Sequence, residues 1–309
     1  MFSPKIVVGT LEVGLMYAIM VLGVYLTFRI LDYADLSVEG SFTLGAATAA
    51  TLIFQGYNPW LATSIAFVVG FIAGIFTGIF HTKFKITALL SGILTMTALY
   101  SINLRVMGKA NISLLRARTI FSDFESLPGM EKYGVLVLCS LTVVILGLLV
   151  YLFLNTEIGL ALRATGDNEL MIRSLGVNTD IMKILGLALS NGLVAFSGSF
   201  VAQNQQFADA SMGIGMIVAG LASVIIGEVL VGTSSIARAI VAVICGGVIY
   251  RVIIAVVLQL GLEPTDLKLL TAVIVLIALV SPSLKSKFSA FNGGILGKGD
   301  SYANSTKSN

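Results

Sequence analysis

Apolar residues in this chain fall into long unbroken runs, not into alternating patterns or one-sided stripes. Nine runs stand out, at 6–28, 37–54, 59–80, 87–106, 134–154, 184–203, 212–231, 237–260 and 267–282. Most reach or approach the ~20 residues that a helix needs to cross a bilayer core about 30 Å thick. Only helices and closed barrels satisfy every backbone polar group in lipid. Barrel strands alternate apolar and polar positions, which these runs do not. The pattern therefore predicts an all-α, polytopic transmembrane helical bundle of about nine spans. After Pro282 the chain turns rich in Ser, Lys, Asn and Gly. This divides it into a membrane domain over 1–283 and a flexible tail over 284–309.

Composition agrees. Hydrophobic residues make up 57% of the 309 and charged residues only 11%, against about 25% charged in a soluble domain; mean hydropathy is +0.97. Lipid is thus a direct partner, and the net charge of +3 calls for no nucleic acid. The first run is too long for the apolar part of a signal peptide and has no small-residue cleavage site behind it, so it reads as a retained helix. Basic residues orient the bundle. Lys83 and Lys85, then Arg163, Arg173 and Lys183, then Lys285 and Lys287 all fall on one side if the N-terminus is outside and the C-terminus cytoplasmic. The 107–133 loop opposes this with Lys109, Arg116, Arg118 and Lys132, partly balanced by Asp123, Glu125 and Glu131.

The 32 glycines include Gly70, Gly74 and Gly78 at four-residue spacing, and also Gly186, Gly192 and Gly198. Both sets read as places where helices pack closely. Cys139 and Cys245 lie inside apolar runs and read as small core hydrophobes. Motifs for chemistry are lacking. The nearest approach to a nucleotide-binding loop, Gly293 to Lys298, has its first glycine one position too close, and Gly299 replaces the Ser or Thr that would hold magnesium. The chain therefore reads as a non-enzyme with no catalytic residues, no metal ligands and no cofactor of its own.

Two polar stretches carry the functional signal. In 155–183, Asp167 or Asn168 can cap a short helix that Gly176 ends in the left-handed conformation. Glu169 and Arg173 are spaced to pair across a turn of it. A helix of about two or three turns is unstable alone in water, so Leu170, Met171, Leu175 and Val177 must dock on something, either a partner protein or a lipid surface. In 31–42, Asp32, Asp35 and Glu39 abut an apolar helix with Ser37 and Ser41. Asp35 or Ser37 suits a cap, while Glu39 suits a cap or a water-filled pathway equally. Within spans, Glu12, Glu228 and Arg251 are ionisable, with Glu228–Arg251 a possible ion pair. Asn103, Asn191, Gln203 and Asn204 add amides that could bridge helices or meet a solute.

Residues Gly159, Arg163, Ala164, Gly166, Asn168, Leu175, Gly176, Val177 and Asn178 resemble the cytoplasmic coupling segment of ABC importer permeases of the branched-chain amino acid and ribose type. Asp35-Leu-Ser-Val-Glu-Gly-Ser41 resembles a segment between their early spans, with Glu39 inserted relative to the sugar permeases. The likeness runs from Leu15 to about Ser283. With Gly92 to Asn103 it is nearest to a subgroup associated with tryptophan or tyrosine in Gram-positive bacteria. The resemblance implies a bacterial cell-membrane importer subunit for a small polar solute, an amino acid of the aromatic kind, with a sugar or nucleoside as the alternative. It implies a separate ATPase subunit that binds ATP and magnesium, an extracellular solute-binding lipoprotein and a permease homodimer. ATPase coupling would then fall to Gly159, Arg163, Gly166, Asp167, Asn168, Arg173, Leu175, Gly176 and Asn178. Candidate pathway residues are Glu39, Ser41, Tyr100, Asn103, Asn191 and Glu228. An intramembrane enzyme lacks any motif here, and a channel would leave the 155–183 helix unexplained.

Overall fold

A computed structural model describes residues 4–261 apart from 116, 127–128 and 130–132, and beyond them only 266, 269, 271–273 and 276. Among the described residues the chain is all-α save for one two-stranded ribbon. Its long helices are α1 (Pro4–Tyr25), α2 (Ser37–Phe54), α3 (Pro59–Thr82) and α4 (Ala88–Met107). A short α5 (Ile120–Glu125) precedes α6 (Gly134–Leu154), and two further helices, α7 (Glu157–Asp167) and α8 (Glu169–Ser174), lead into α9 (Thr179–Gln205). The last two are α10 (Met216–Val231) and α11 (Ile236–Gln259). Strands β1 (Asn111–Ser113) and β2 (Phe207–Asp209) pair antiparallel, Ile112 opposite Ala208.

Six helices among the described residues are long and apolar enough to cross a membrane. The runs at 37–54 and 134–154 coincide with α2 and α6. Three expectations change. The first helix passes into a π turn at Leu26–Ile30, the kind of interruption that clusters at functional places. The run at 212–231 becomes helical only at Met216, because Gly215 takes a left-handed φ of 85°, leaving a helix of 16 residues. The ninth run, 267–282, lies almost wholly outside the described residues.

Helix α9 is the axis of the bundle, buried along most of its length between α2, α3 and α1. Where it meets α3 the three evenly spaced glycines do what their spacing predicts. A Cβ at Gly70 would overlap the Asn191 carbonyl and Ala195, one at Gly74 would overlap the Leu187 carbonyl, and one at Gly78 would come within 2.8 Å of the Ile184 Cα. The α2–α9 crossing is equally close, Gly45 lying against the Ala195 backbone and Gly198 against the Phe42 carbonyl. Lipid supplies no hydrophobic drive between helices, so such contact surfaces hold the bundle by dispersion. Helix α2 shows the result: its only charge is Glu39, yet nearly every residue is buried by protein.

Gly74→Ala should destabilise the detergent-solubilised protein by about 1–3 kcal/mol through overpacking. Gly9→Ala meets nothing within 4 Å and should stabilise it by roughly 0.5–1 kcal/mol through helix propensity. Opposite shifts of melting temperature in thermal unfolding check the pair; equal shifts would refute the packing account.

Candidate functional site

The six residues 31–36 between the π turn and α2 are not helical, and they alternate between buried (Leu31, Tyr33, Asp35) and exposed (Asp32, Ala34). Asp35 is buried and compensated on both oxygens. Its Oδ1 accepts from the Ser37 N–H (2.9 Å) and from the Ser37 hydroxyl, and its Oδ2 accepts from Asn191 Nδ2 (2.8 Å). The Ser37 hydroxyl also approaches Asn191 Oδ1 at 3.1 Å. This triad anchors the start of α2 to the middle of α9. Asn191 thus bridges α9 to the start of α2 through Asp35, whose side chain takes up the Ser37 N–H.

One turn later Glu39 meets a second helix start. Its Oε1 accepts from the Gly215 N–H at 2.8 Å, and Gly215 is the N-cap of α10. The Glu39 carbonyl accepts from the Thr43 hydroxyl, whose oxygen accepts from the Gly213 N–H at 3.1 Å. The positive ends of α2 and α10 thus converge on one carboxylate. Each such end favours negative charge, by up to about 1–2 kcal/mol when partly buried. Their sum approaches the roughly 2.5–3.5 kcal/mol that insertion scales assign to a charge at mid-membrane.

Glu39 lines a cavity of about 340 Å³ together with Gly40, Thr43, Met96, Thr97, Tyr100, Asn103, Ala210 and Ile214. Three expected pathway residues, Glu39, Tyr100 and Asn103, come together here. Asn103 donates from Nδ2 to the Gly40 carbonyl (3.2 Å), while its Oδ1 is buried without a partner. Tyr100 is half exposed on the same helix face. Sequence reasoning missed Met96 and Thr97, although they lie four and three residues before Tyr100 on that face. It also missed the 210–214 turn, which only tertiary packing brings there. A larger cavity, about 690 Å³, opens beside the α2–α3 connection and holds none of the expected residues.

The other three expected pathway residues lie elsewhere. Ser41 is buried in α2 with its hydroxyl unpartnered and does not line the cavity. Asn191 is committed to Asp35. Glu228 forms an ion pair with Arg29 of the π turn, Nε to Oε1 2.8 Å, close in distance though not aligned as a hydrogen bond. The possible Glu228–Arg251 pair is not formed. Arg251 instead stacks on Tyr17, its guanidinium carbon 3.4 Å from the ring centre, an attraction that strengthens away from water. Gln203 also bridges, accepting from the Ile120 N–H and donating to the Thr63 hydroxyl.

The 155–183 segment holds two helices where one was expected. Thr156 caps α7, accepting from the Gly159 N–H at 3.2 Å, a cap-then-acidic start legible in Thr156-Glu157. Gly159 and Gly166 serve close contact: a Cβ would strike the Phe153 carbonyl at the first and the Ile30 carbonyl at the second. The cap of α8 is Asn168, accepting from the Met171 N–H at 3.0 Å, while Asp167 closes α7. Gly176 takes φ 89°, as a helix-ending glycine should. Arg163 is half-buried with Nε unpartnered. A clasp fastens α8 to α9. Glu169 accepts from Lys183 (2.7 Å) and lies 3.8 Å from Arg173, which reaches Asp180 (3.2 Å) and Thr179 (3.1 Å); Asn178 caps α9. On the other face Leu170, Leu175 and Met171 are 80%, 68% and 58% exposed. The clasp presents an apolar patch.

The family model for the permease component of branched-chain amino acid transport systems matches residues 6–280. This chain is a permease of that family. The permease is 42% identical over 292 residues to a tyrosine transport system permease protein of Clostridioides difficile, covering 94% of this chain and 96% of that one. It is 32% identical to an uncharacterized protein of Rickettsia prowazekii (90% and 98% covered) and 24% identical to a ribose import permease of Haemophilus influenzae (70% and 64%). No solved structure matches it. The permease is thus an integral membrane subunit of an ABC importer, and its sugar-transporting relatives are the more distant ones.

The clasp titrates. The Lys183 hydrogen bond, ahead of the charges of Lys183 and Arg173, holds the Glu169 carboxyl below its ordinary value of 4.5. A lowered value means that the stabilisation is complete above the ordinary value and is lost as pH falls through the lowered one. Amide-exchange protection of α8, corrected for intrinsic rates, should hold from pH 7 to 5 and fall below about 4.5. Glu169→Gln should lower protection at pH 7 and remove the dependence; an unchanged profile would refute the clasp.

Proposed function

We propose that this permease imports an aromatic amino acid of the tyrosine type through the Glu39 cavity, with a separate ATPase docked on α8. The observation that carries this reading is the cavity itself: a carboxylate (Glu39) beside an aromatic ring (Tyr100) and an amide (Asn103) in a wall completed by Gly40, Thr43, Met96 and Ile214. A zwitterionic aromatic solute offers an ammonium group to Glu39 and a ring to Tyr100, whereas a neutral sugar has no use for the charge. The similarity to a tyrosine permease supports the same solute class.

The exposed apolar face of α8, held rigid by charge pairs on its other side, suits a groove in an ATPase that binds ATP and magnesium. The basic loops favour nine spans, with the N-terminus outside and the 284–309 tail in the cytoplasm. In one chain the cavity wall ends at the exposed Thr97 and Tyr100, so a second copy of the permease would complete the pathway. An extracellular binding lipoprotein would deliver the solute to it.

Two measurements test the reading. Leu170→Glu changes a residue that is 80% exposed, so membrane abundance should stay normal while co-purification with the ATPase falls about tenfold or more, as for a hot-spot loss of at least 1.4 kcal/mol. Undiminished co-purification would refute docking at α8. Glu39→Gln keeps shape and removes charge. Tyrosine uptake per permease molecule should fall at least roughly tenfold, a loss of about 1.4 kcal/mol or more, with basal ATPase activity intact. Unchanged normalised uptake would remove Glu39 from the pathway.

A further inference from the structure

Helix α10 is held at both ends by carboxylates. At its start, Glu39 of α2 accepts the Gly215 N–H, and the Glu39 carbonyl lies where a Gly213 Cβ would be. At its other end Glu228, 14% exposed, pairs with Arg29. Arg29 belongs to the π turn, and the next residue, Ile30, presents its carbonyl to Gly166 of α7 with no room for a Cβ between them. Helix α7 is followed directly by α8. A continuous path therefore leads from the exposed patch at Leu170, through the Gly166–Ile30 contact and the Arg29–Glu228 pair, along α10, to the carboxylate in the cavity.

Each step has the stiffness that such a path requires. Backbone-to-backbone contact at Gly166 transmits a push without compressing side chains. A 16-residue helix moves as a rod. Glu228 is 14% exposed and Arg29 54%, so water screens the pair in part, and its close approach of 2.8 Å is what joins the two elements. The π turn is the exception, since its looser hydrogen bonding lets residues 26–30 shift without unwinding α1.

Resting on the reading above, we propose that the Arg29–Glu228 pair is the link that passes movement of α7 and α8 to the solute cavity, with α10 as the rod. Arg29 and Glu228 are positioning residues that touch no solute. The pair acts at a distance by setting where Gly213 and Gly215 hold Glu39.

The test uses the reconstituted complex of permease, ATPase and binding protein. A cysteine at Thr97, in a background with Cys139→Ala and Cys245→Ala, reports cavity access through its rate of reaction with a water-soluble maleimide. In the otherwise normal permease, ATP with vanadate should change that rate about tenfold. Arg29→Gln and Glu228→Gln should keep membrane abundance and basal ATPase activity within about twofold yet abolish the nucleotide response. The exchanged double variant Arg29→Glu/Glu228→Arg should regain at least part of it, which a structural role alone would not produce. A nucleotide response that persists in both single variants would overturn the link. The labelling comparison needs no solute, so an error about tyrosine would show separately, as absent uptake by the normal permease.

Discussion

A chain that breaks its helix inside a bilayer must find partners for whatever it exposes there, and the first task of this fold is to satisfy residues 31–39. A carboxylate or free N–H buried there must be met by protein. Asp35 is satisfied by Ser37 and Asn191, and Glu39 by the N-terminus of α10. These two requirements dictate which helices become neighbours. Asn191 must stand beside Asp35, so α9 becomes the axis. Gly70, Gly74 and Gly78 then let α3 approach close enough to cover it. The start of α10 must come to Glu39, so that helix is short and begins beneath the surface.

The same reasoning explains where charge is stored. Arg251 faces the Tyr17 ring, Glu228 faces Arg29, and the α8 clasp joins Glu169 to Lys183. Each charge has a local solution, and the Arg251–Tyr17 and Glu228–Arg29 solutions join elements that the sequence separates widely. The Glu39 carboxylate combines such a structural bond with a place on the wall of the cavity shared with Tyr100 and Asn103. That combination makes it suited to sense both a solute and the position of α10.

Much of this was legible in the sequence. Apolar runs located α2 and α6 to the residue, four-residue glycine spacing identified the α3 face that meets α9, and Asn168 with Gly176 bounded α8. Asn103 was found as an amide within a span, Tyr100 through the stretch from Gly92 to Asn103, and Glu39 because a carboxylate in an apolar run is costly. The failures have a common physical origin. The partners of Glu228 and Asn191 lie about 200 and 156 residues away in sequence, and periodicity carries no information about such distances. The π turn and the 212–215 turn were missed because apolar composition continues through both while the backbone geometry changes.

Helix α2 is absent from the set that could cross a membrane by composition alone, which bears on how the protein is made. With Asp35 and Glu39 at its start, this segment has little reason to remain in lipid until its neighbours arrive. Asn191, the residue that neutralises its entry point, leaves the ribosome on the order of ten seconds later at about 5–20 residues per second. During that interval α1 and α3 must hold α2 between them, or the insertion machinery must. The β1–β2 ribbon can close only afterwards, once β2 has followed α9 across, so it works as a clasp shut last. Biogenesis of this bundle is therefore a matter of storage as well as insertion: the most buried helix is among the first to be synthesised and among the last to be secured.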